Sequence, residues 1–255
     1  MNRHAGPAEN ANETANETVA FEPREDEVLE STDDIDETDD RVLQRTAKHL
    51  ADRYDGVFSQ DLVERYVYES YMTLHRNARI KKFVASLSAN FAESRLRSLA
   101  YATGKLQRPK PQVLFVCVEN AGRSQLAAAA LNEIAGDEVE VRSAGSRPRE
   151  DLYPEVVKLL QERGADPELL FPKPLTDDVV RGADYVVSMN SHEDLPPYPG
   201  QTFFEWDMQI PSDVTRANVE RVFNDVKLRV EGLWEDIRAK WQADEPKPLK
   251  DAESI

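Results

Sequence analysis

The single cysteine of the 255-residue chain, Cys117, ends the apolar run QVLFVC, and six residues later come Arg123 and Ser124. A buried strand that turns through five residues into a helix lets successive backbone N–H groups converge on one point. The helix N-terminus adds partial positive charge there, so that point binds an anion. The five residues are Val118, Glu119, Asn120, Ala121 and Gly122, and the Asn-Ala-Gly part suits a tight loop with unusual dihedrals. Arg123 offers a planar fork to two oxygens of a tetrahedral oxyanion. Helix end and guanidinium together favour the thiolate, which is the nucleophilic form. Ser124 is placed to hydrogen-bond the sulfur or to assist it as a leaving group. A cysteine ending a buried strand is otherwise a small apolar core residue. Strand, Cys-x5-Arg-Ser, small-residue loop and the Ala-rich helix behind it point in combination to chemistry.

Glu119 runs against this design, because it sets a carboxylate beside a site for a dianion and a thiolate. At about 6 Å and an effective dielectric of about 20 the repulsion is on the order of 3 kcal/mol. Either Glu119 faces outward, toward an arginine such as Arg147 or Arg149, or it tunes the site and weakens oxyanion affinity. His192 is a lone histidine in a loop and forms no metal-ligand spacing with other residues.

The elements that must carry the loop follow from the apolar pattern. QVLFVCV, VEVRSAG, DYVVSM and QTFFEW read as short strands. GRSQLAAAALNEIAG, Tyr153 to Arg163, PLTDDVVRGA and Thr215 to Trp241 read as helices between and after them. Strands alternating with helices predict an α/β fold, a four-stranded parallel sheet flanked by helices over residues 112–243. Ligands of such sheets bind beyond the carboxyl ends of the strands, where Cys117 lies.

Charge divides the rest of the chain. Residues 1–40 hold 14 acidic and 2 basic side chains and too few apolar groups to offset the entropy of ordering, which predicts a disordered acidic tail. Residues 41–104 carry three helical patterns, set out by Leu43, Ala47, Leu50 and Tyr54, by Val63, Tyr66, Val67, Tyr71 and Leu74, and by Ile80, Phe83, Val84, Leu87, Phe91, Leu96 and Leu99. The third runs from about Arg79 to Ala100, with Gly104 as its stop. They predict a small three-helix bundle, with Tyr66, Tyr71, Phe83 and Phe91 in its core. Its basic face, including Arg76, Arg79, Lys81, Lys82, Arg95 and Arg97, reads as a solvated surface or a dock for the acidic tail or the catalytic part. Nucleic-acid binding is disfavoured, since no reading-helix motif accompanies the charge. Residues 105–111, with Pro109 and Pro111, are a linker, and residues 244–255 a C-terminal tail.

No apolar stretch approaches the roughly 20 residues of a spanning helix. The N-terminus has no basic and apolar signal pattern, so a cytoplasmic location is expected. One cysteine permits no internal disulfide.

VLFVCVENAGRSQLAAAAL, VRSAGSRP, PKPLTDDVVRGADYVVSM and YPGQTFFEWD follow one another in this chain. Over residues 112–240 it resembles the arsenate reductases that share the low-molecular-weight protein tyrosine phosphatase fold, most of all the actinobacterial arsenate–mycothiol transferase type. The helical N-terminal extension is similar to one carried by some of those relatives. By that resemblance Cys117 attacks the arsenic of arsenate or the phosphorus of a phosphomonoester. The amides of residues 118–123 and the Arg123 side chain hold the oxygens, Ser124 and Asn120 support the loop, and Ser143 sits beside it. No cofactor is implied.

Three departures sharpen the expectation. Thioredoxin-relay members need two further cysteines where this chain has Ser191 and Leu195. The resemblance therefore implies an external low-molecular-weight thiol, mycothiol- or glutathione-like, with a glutaredoxin-like partner. Where members often carry Asp-Pro as general acid, this chain has Ile210 and Pro211, which leaves Asp213 or Asp207 to act, or to serve as a helix cap or a surface carboxylate. An arsenate–thiol exchange needs such an acid less than an alkyl phosphate does. The leading expectation is a thiol-dependent arsenate reductase or transferase. A low-molecular-weight protein tyrosine phosphatase is the alternative, and a non-catalytic oxyanion or redox sensor with a partner-binding helical domain the third.

Overall fold

The computed structural model describes residues 35–78, 83–166, 169–190, 195, 198–208 and 213–244. Three helices come first, α1 (Glu37–Arg53), α2 (Gln60–Asn77) and α3 (Val84–Ala102). Asp36 starts α1 by accepting from the Thr38 N–H at 2.8 Å, and the Ser59 hydroxyl starts α2 by accepting from the Leu62 N–H at 3.3 Å. Such caps satisfy amides that have no partner within the helix. Leu43, Leu50, Val63, Val67, Tyr71, Phe91 and Leu96 close one buried cluster between the three.

Here the sequence reading needs three corrections. α1 begins inside the stretch assigned to a disordered tail, because Asp40 and Asp39 accept from the hydroxyls of Tyr68 at 2.6 Å and Tyr71 at 2.8 Å. A count of charges does not register those long-range partners. The expected tail at 1–34 lies outside the described residues. α3 starts at Val84, not near Arg79, and Phe83 is 59% exposed at its N-terminal boundary, outside the core. Arg79, Ile80, Lys81 and Lys82 lie outside the described residues. Tyr66 is half-buried, under the Arg95 guanidinium.

The second half is a four-stranded parallel sheet in the order β2-β1-β3-β4, built from β1 (Gln112–Cys117), β2 (Glu140–Gly145), β3 (Tyr185–Ser188) and β4 (Thr202–Glu205). Parallel neighbours require crossovers. α4 (Arg123–Ala135) joins β1 to β2, α5 (Pro154–Glu162) and α6 (Asp177–Arg181) lie between β2 and β3, and α7 (Arg216–Asp244) follows β4. Every residue of β1 is buried, which is why the strand reads as an unbroken apolar run. Its side chains alternate. Val113, Phe115 and Cys117 pack with α4, α5 and α7, while Leu114 and Val116 pack with Val179 and Val180 of α6. The chain leaves β1 for β2 on one side and returns to β3 on the other. The carboxyl end of β1, at Cys117, is therefore the switch point of the sheet.

The helical bundle sits against the α6 side of this sheet. Arg95 and Asp178 are both buried there, and the Arg95 Nε donates to Asp178 Oδ2 at 3.0 Å. Arg95 also donates to Ser70 Oγ at 3.2 Å. Arg97 reaches Glu140 at 3.0 Å, and the Arg142 Nε donates to Ser94 Oγ at 3.1 Å. A Cβ on Gly182 would lie 2.7 Å from Ser98 Cα, so the C-terminal end of α6 touches α3. Arg95 and Arg97, read from sequence as part of a basic face, are thus committed to the catalytic half.

Removing one partner of a buried pair strands the other charge at a cost of about 3–5 kcal/mol. Arg95 keeps Glu69 at 3.4 Å, so Asp178→Ala is expected to lower the unfolding free energy by part of that amount in urea titration. The double change Arg95→Met with Asp178→Leu is expected to cost much less.

Candidate active site

A trans peptide directs its N–H and C=O to opposite sides. In the turn after β1, five successive carbonyls are taken from outside the loop. Cys117 O accepts from the Ser146 N–H at 3.3 Å, Val118 O from Arg147 at 2.8 Å, Glu119 O from Arg149 at 3.0 Å and Ala121 O from Tyr153 at 3.3 Å. Asn120 O accepts from Gln125 Nε2 at 3.2 Å. The amides of the same peptides therefore face the other way, toward the sulfur. The Asn120 N–H donates to Cys117 Sγ at 3.2 Å, and Ser124 Oγ lies 2.9 Å from the same sulfur.

Asn120 holds the turn. It is fully buried with φ +48°, a left-handed conformation that Asn tolerates better than most residues. Its Nδ2 donates to Ser124 Oγ at 2.8 Å. Its Oδ1 accepts from Gln125 Nε2 at 2.9 Å and from the Lys173 N–H at 2.7 Å. Gly145, at the end of β2, lies directly behind, and a Cβ there would meet Val118 O at 2.8 Å and Asn120 N at 2.9 Å.

Arg123 opens α4, and its Nη1 donates to Met189 O at 2.7 Å and Asn190 Oδ1 at 3.1 Å. Asn190 in turn donates to Asp207 Oδ1 at 2.7 Å and accepts from the Met208 N–H at 2.8 Å. Asp207 is thereby tied to the arginine through one amide. Glu119 faces the rim: Oε2 accepts from the Tyr153 hydroxyl at 2.7 Å and Oε1 lies 3.5 Å from Arg149 Nη1. Of the two arginines considered from sequence, Arg149 is the partner. Its guanidinium lies 4.7 Å from the centre of the Tyr153 ring, which packs beside Gly122. Burial, and then the hydrogen bond to Glu119, push the Tyr153 hydroxyl above its ordinary value, so it stays a donor through neutral pH.

The structure thus brings together Cys117, Asn120, Arg123 and Ser124, with Val118, Glu119, Ala121 and Gly122 completing the loop. Ser143 is buried on β2 opposite Phe115, two residues before Cys117. Asp213 is not joined to this group by any hydrogen bond: it is exposed, and its Oδ1 accepts from Asn218 Nδ2 at 2.6 Å, at the start of α7. The Tyr198 hydroxyl donates to Asp177 of α6. Ser191, His192, Ile210 and Pro211 lie outside the described residues. Sequence reasoning missed Gln125, Asn190, Tyr153 and Lys173. Gln125 directly follows the Cys-x5-Arg-Ser pattern, which was a usable signal. The other three act through partners more than 30 positions away.

Among the described residues no helix is long and apolar enough to cross a membrane. Residues 43–100 match the protein-tyrosine-phosphatase-like N-terminal domain family, and residues 112–243 match the low molecular weight phosphotyrosine protein phosphatase family. A solved structure described as a thioredoxin-dependent arsenate reductase of Corynebacterium glutamicum is similar at TM-score 0.71 and 43% identity, covering 78% of this chain and 98% of that one. A putative arsenate reductase of Halobacterium salinarum is 27% identical over 127 residues, 48% of this chain and 89% of that protein. Arsenate reductase 1 of Staphylococcus saprophyticus is also 27% identical over 127 residues, 48% of this chain and 95% of that protein.

Two outcomes are expected from this geometry. Gly145→Ala forces backbone against backbone behind Asn120, and should slow iodoacetamide alkylation of Cys117 roughly tenfold, equivalent to about 1.4 kcal/mol. The second concerns Lys173, half-buried as a residue, whose ammonium is pushed by burial from 10.5 down to about 7. Between those values the unfolded chain holds a proton that the folded chain lacks, so this group makes stability rise with pH through the window. Urea midpoints at pH 7 and pH 9 should therefore differ more for the native chain than for Lys173→Met.

Proposed function

The chain belongs to the low molecular weight phosphotyrosine protein phosphatase family, and on that premise we propose that it reduces arsenate with electrons from an external thiol. It is an enzyme of that fold, an arsenate reductase or a phosphatase with a helical N-terminal domain. One observation carries the reading. Cys117 Sγ receives the Asn120 N–H and lies 2.9 Å from the Ser124 hydroxyl inside a loop whose carbonyls turn outward, at the positive end of α4.

In this reading the oxyanion sits among the amides of residues 118–123, with Arg123 closing over two of its oxygens. The Cys117 thiolate attacks arsenic and a hydroxide leaves, protonated to water, so that an S–As bond replaces an O–As bond and arsenic stays pentavalent. Ser124 steadies the sulfur. An external thiol then attacks Cys117 Sγ. The S–As pair stays with arsenic, which departs as trivalent arsenite, and Cys117 is left in a mixed disulfide. A second thiol equivalent frees it, so two thiols are oxidised for each arsenate reduced. The chain has one cysteine and cannot supply either equivalent itself. A mycothiol- or glutathione-like thiol, followed by a glutaredoxin-like protein, would meet the need. So would a dithiol protein, as the description of the Corynebacterium relative suggests.

The second reading, phosphotyrosine hydrolysis, draws on the family itself and on the Tyr153 ring beside Gly122. There Asp213 would have to leave Asn218 to protonate the leaving oxygen.

The test is arsenite formation from arsenate with glutathione, mycothiol or a thioredoxin system, each run against Cys117→Ser. Arsenite with at least one donor and none in the variant is expected. No arsenite with any donor, with aryl phosphate hydrolysis that Asp213→Asn abolishes, would move the assignment to the phosphatase.

A further inference from the structure

We infer that the helical domain is a positioning element for the nucleophile, acting through Phe171. The inference rests on Cys117 being the nucleophile and not on which oxyanion it attacks. Among the described residues, Phe171 is the one side chain of the catalytic half that enters the buried cluster of the bundle, where it joins Phe91, Leu96 and their neighbours. Its own carbonyl accepts from Gln125 Nε2 at 2.9 Å and from Lys173 Nζ at 3.0 Å. The Lys173 ammonium also lies 4.2 Å from the Phe171 ring centre.

Both groups lead directly into the loop. Gln125 Nε2 reaches Asn120 Oδ1 and O, and the Lys173 N–H reaches Asn120 Oδ1 as well. Asn120 holds Ser124 through Nδ2 and the sulfur through its N–H. Ring packing in the bundle is thus two hydrogen bonds away from the residue that sets the loop. The short segment that carries the connection is itself fixed, since the Gly145 N–H donates to Lys173 O at 2.9 Å and Leu175 donates to Gly145 O at 2.9 Å. Asn120 is held in a left-handed conformation that its surroundings must enforce, and Phe171 is where the bundle contributes to that enforcement.

The seam gives an independent handle. Gly182 abuts the backbone of Ser98 on α3, and a methyl group there forces α3 and α6 apart at the seam. If the bundle positions the loop, Gly182→Ala and Phe171→Ala act by one route, and their effects on the thiol are not additive.

The experiment is the pH–rate profile of Cys117 alkylation by iodoacetamide in the full chain, with and without arsenate as protecting anion. Far-UV circular dichroism and urea unfolding run alongside. Phe171→Ala is expected to slow alkylation at neutral pH about tenfold, move the profile to higher pH and weaken protection by arsenate. Phe171→Leu should restore most of the native profile, and Gly182→Ala should move it the same way as Phe171→Ala. The double variant should be no worse than the worse single one. A native profile in Phe171→Ala overturns the inference. So does a native profile in Gly182→Ala, which would confine the role of Phe171 to the catalytic half. If Phe171→Ala does not fold, Gly182→Ala decides, and a native profile in it overturns the inference.

Discussion

The turn after β1 depends on where its carbonyls go. A buried C=O without a partner is costly, on the order of 1–3 kcal/mol each. In residues 117–121 every one is accommodated on the outer side, by Ser146, Arg147, Arg149, Gln125 and Tyr153. That arrangement fixes the inward direction of the amides. It also explains features that look separate in the sequence. The chain after β2 must run alongside the loop to present its N–H groups, so the end of β2 must approach closely, and Gly145 allows that approach. α5 must begin where the Tyr153 amide can reach Ala121. Gln125 must stand on the first turn of α4. The anion site results from satisfying polar groups on its far side.

The rim shows how a hostile charge is accommodated. Glu119 carries a carboxylate within the nucleophile loop, yet the Tyr153 hydroxyl and Arg149 engage both of its oxygens on the outer side. The pairing with Arg149 is half-exposed and weak in itself. Its value is directional, since it keeps the side chain turned away from the sulfur. The same three groups form a charged and aromatic edge beside Gly122.

Much of this was legible in the sequence, for physical reasons. A strand buried on both faces has to be apolar throughout, so β1 and β3 stood out. A loop needing a left-handed residue advertises itself through Asn120 and Gly122. Local charge balance was a poorer guide. It assigned Asp39 and Asp40 to a tail, although two tyrosines of the next helix bind them. It left Arg95 and Arg97 between a solvated surface and a dock for the tail or the catalytic part, because their partners Asp178 and Glu140 lie more than 40 positions away in the other half. Asn190 and Lys173 were invisible for the same reason. Periodicity reports which side of an element is buried, and says nothing of which polar group waits on the opposing element.

The lone sulfur has a consequence for survival under oxidants. Cysteine thiolates oxidise first to a sulfenic acid, which a neighbouring thiol normally traps as a disulfide before it goes on to the irreversible sulfinic and sulfonic acids. Cys117 has no second cysteine in its chain to trap it. What stands between this enzyme and permanent loss is the burial of the sulfur, 2% exposed, and, on the proposed reading, an external thiol. On the thiol-dependent reading proposed above, the electron donor and the repair agent are one molecule, so that turnover and protection fail together when it runs short.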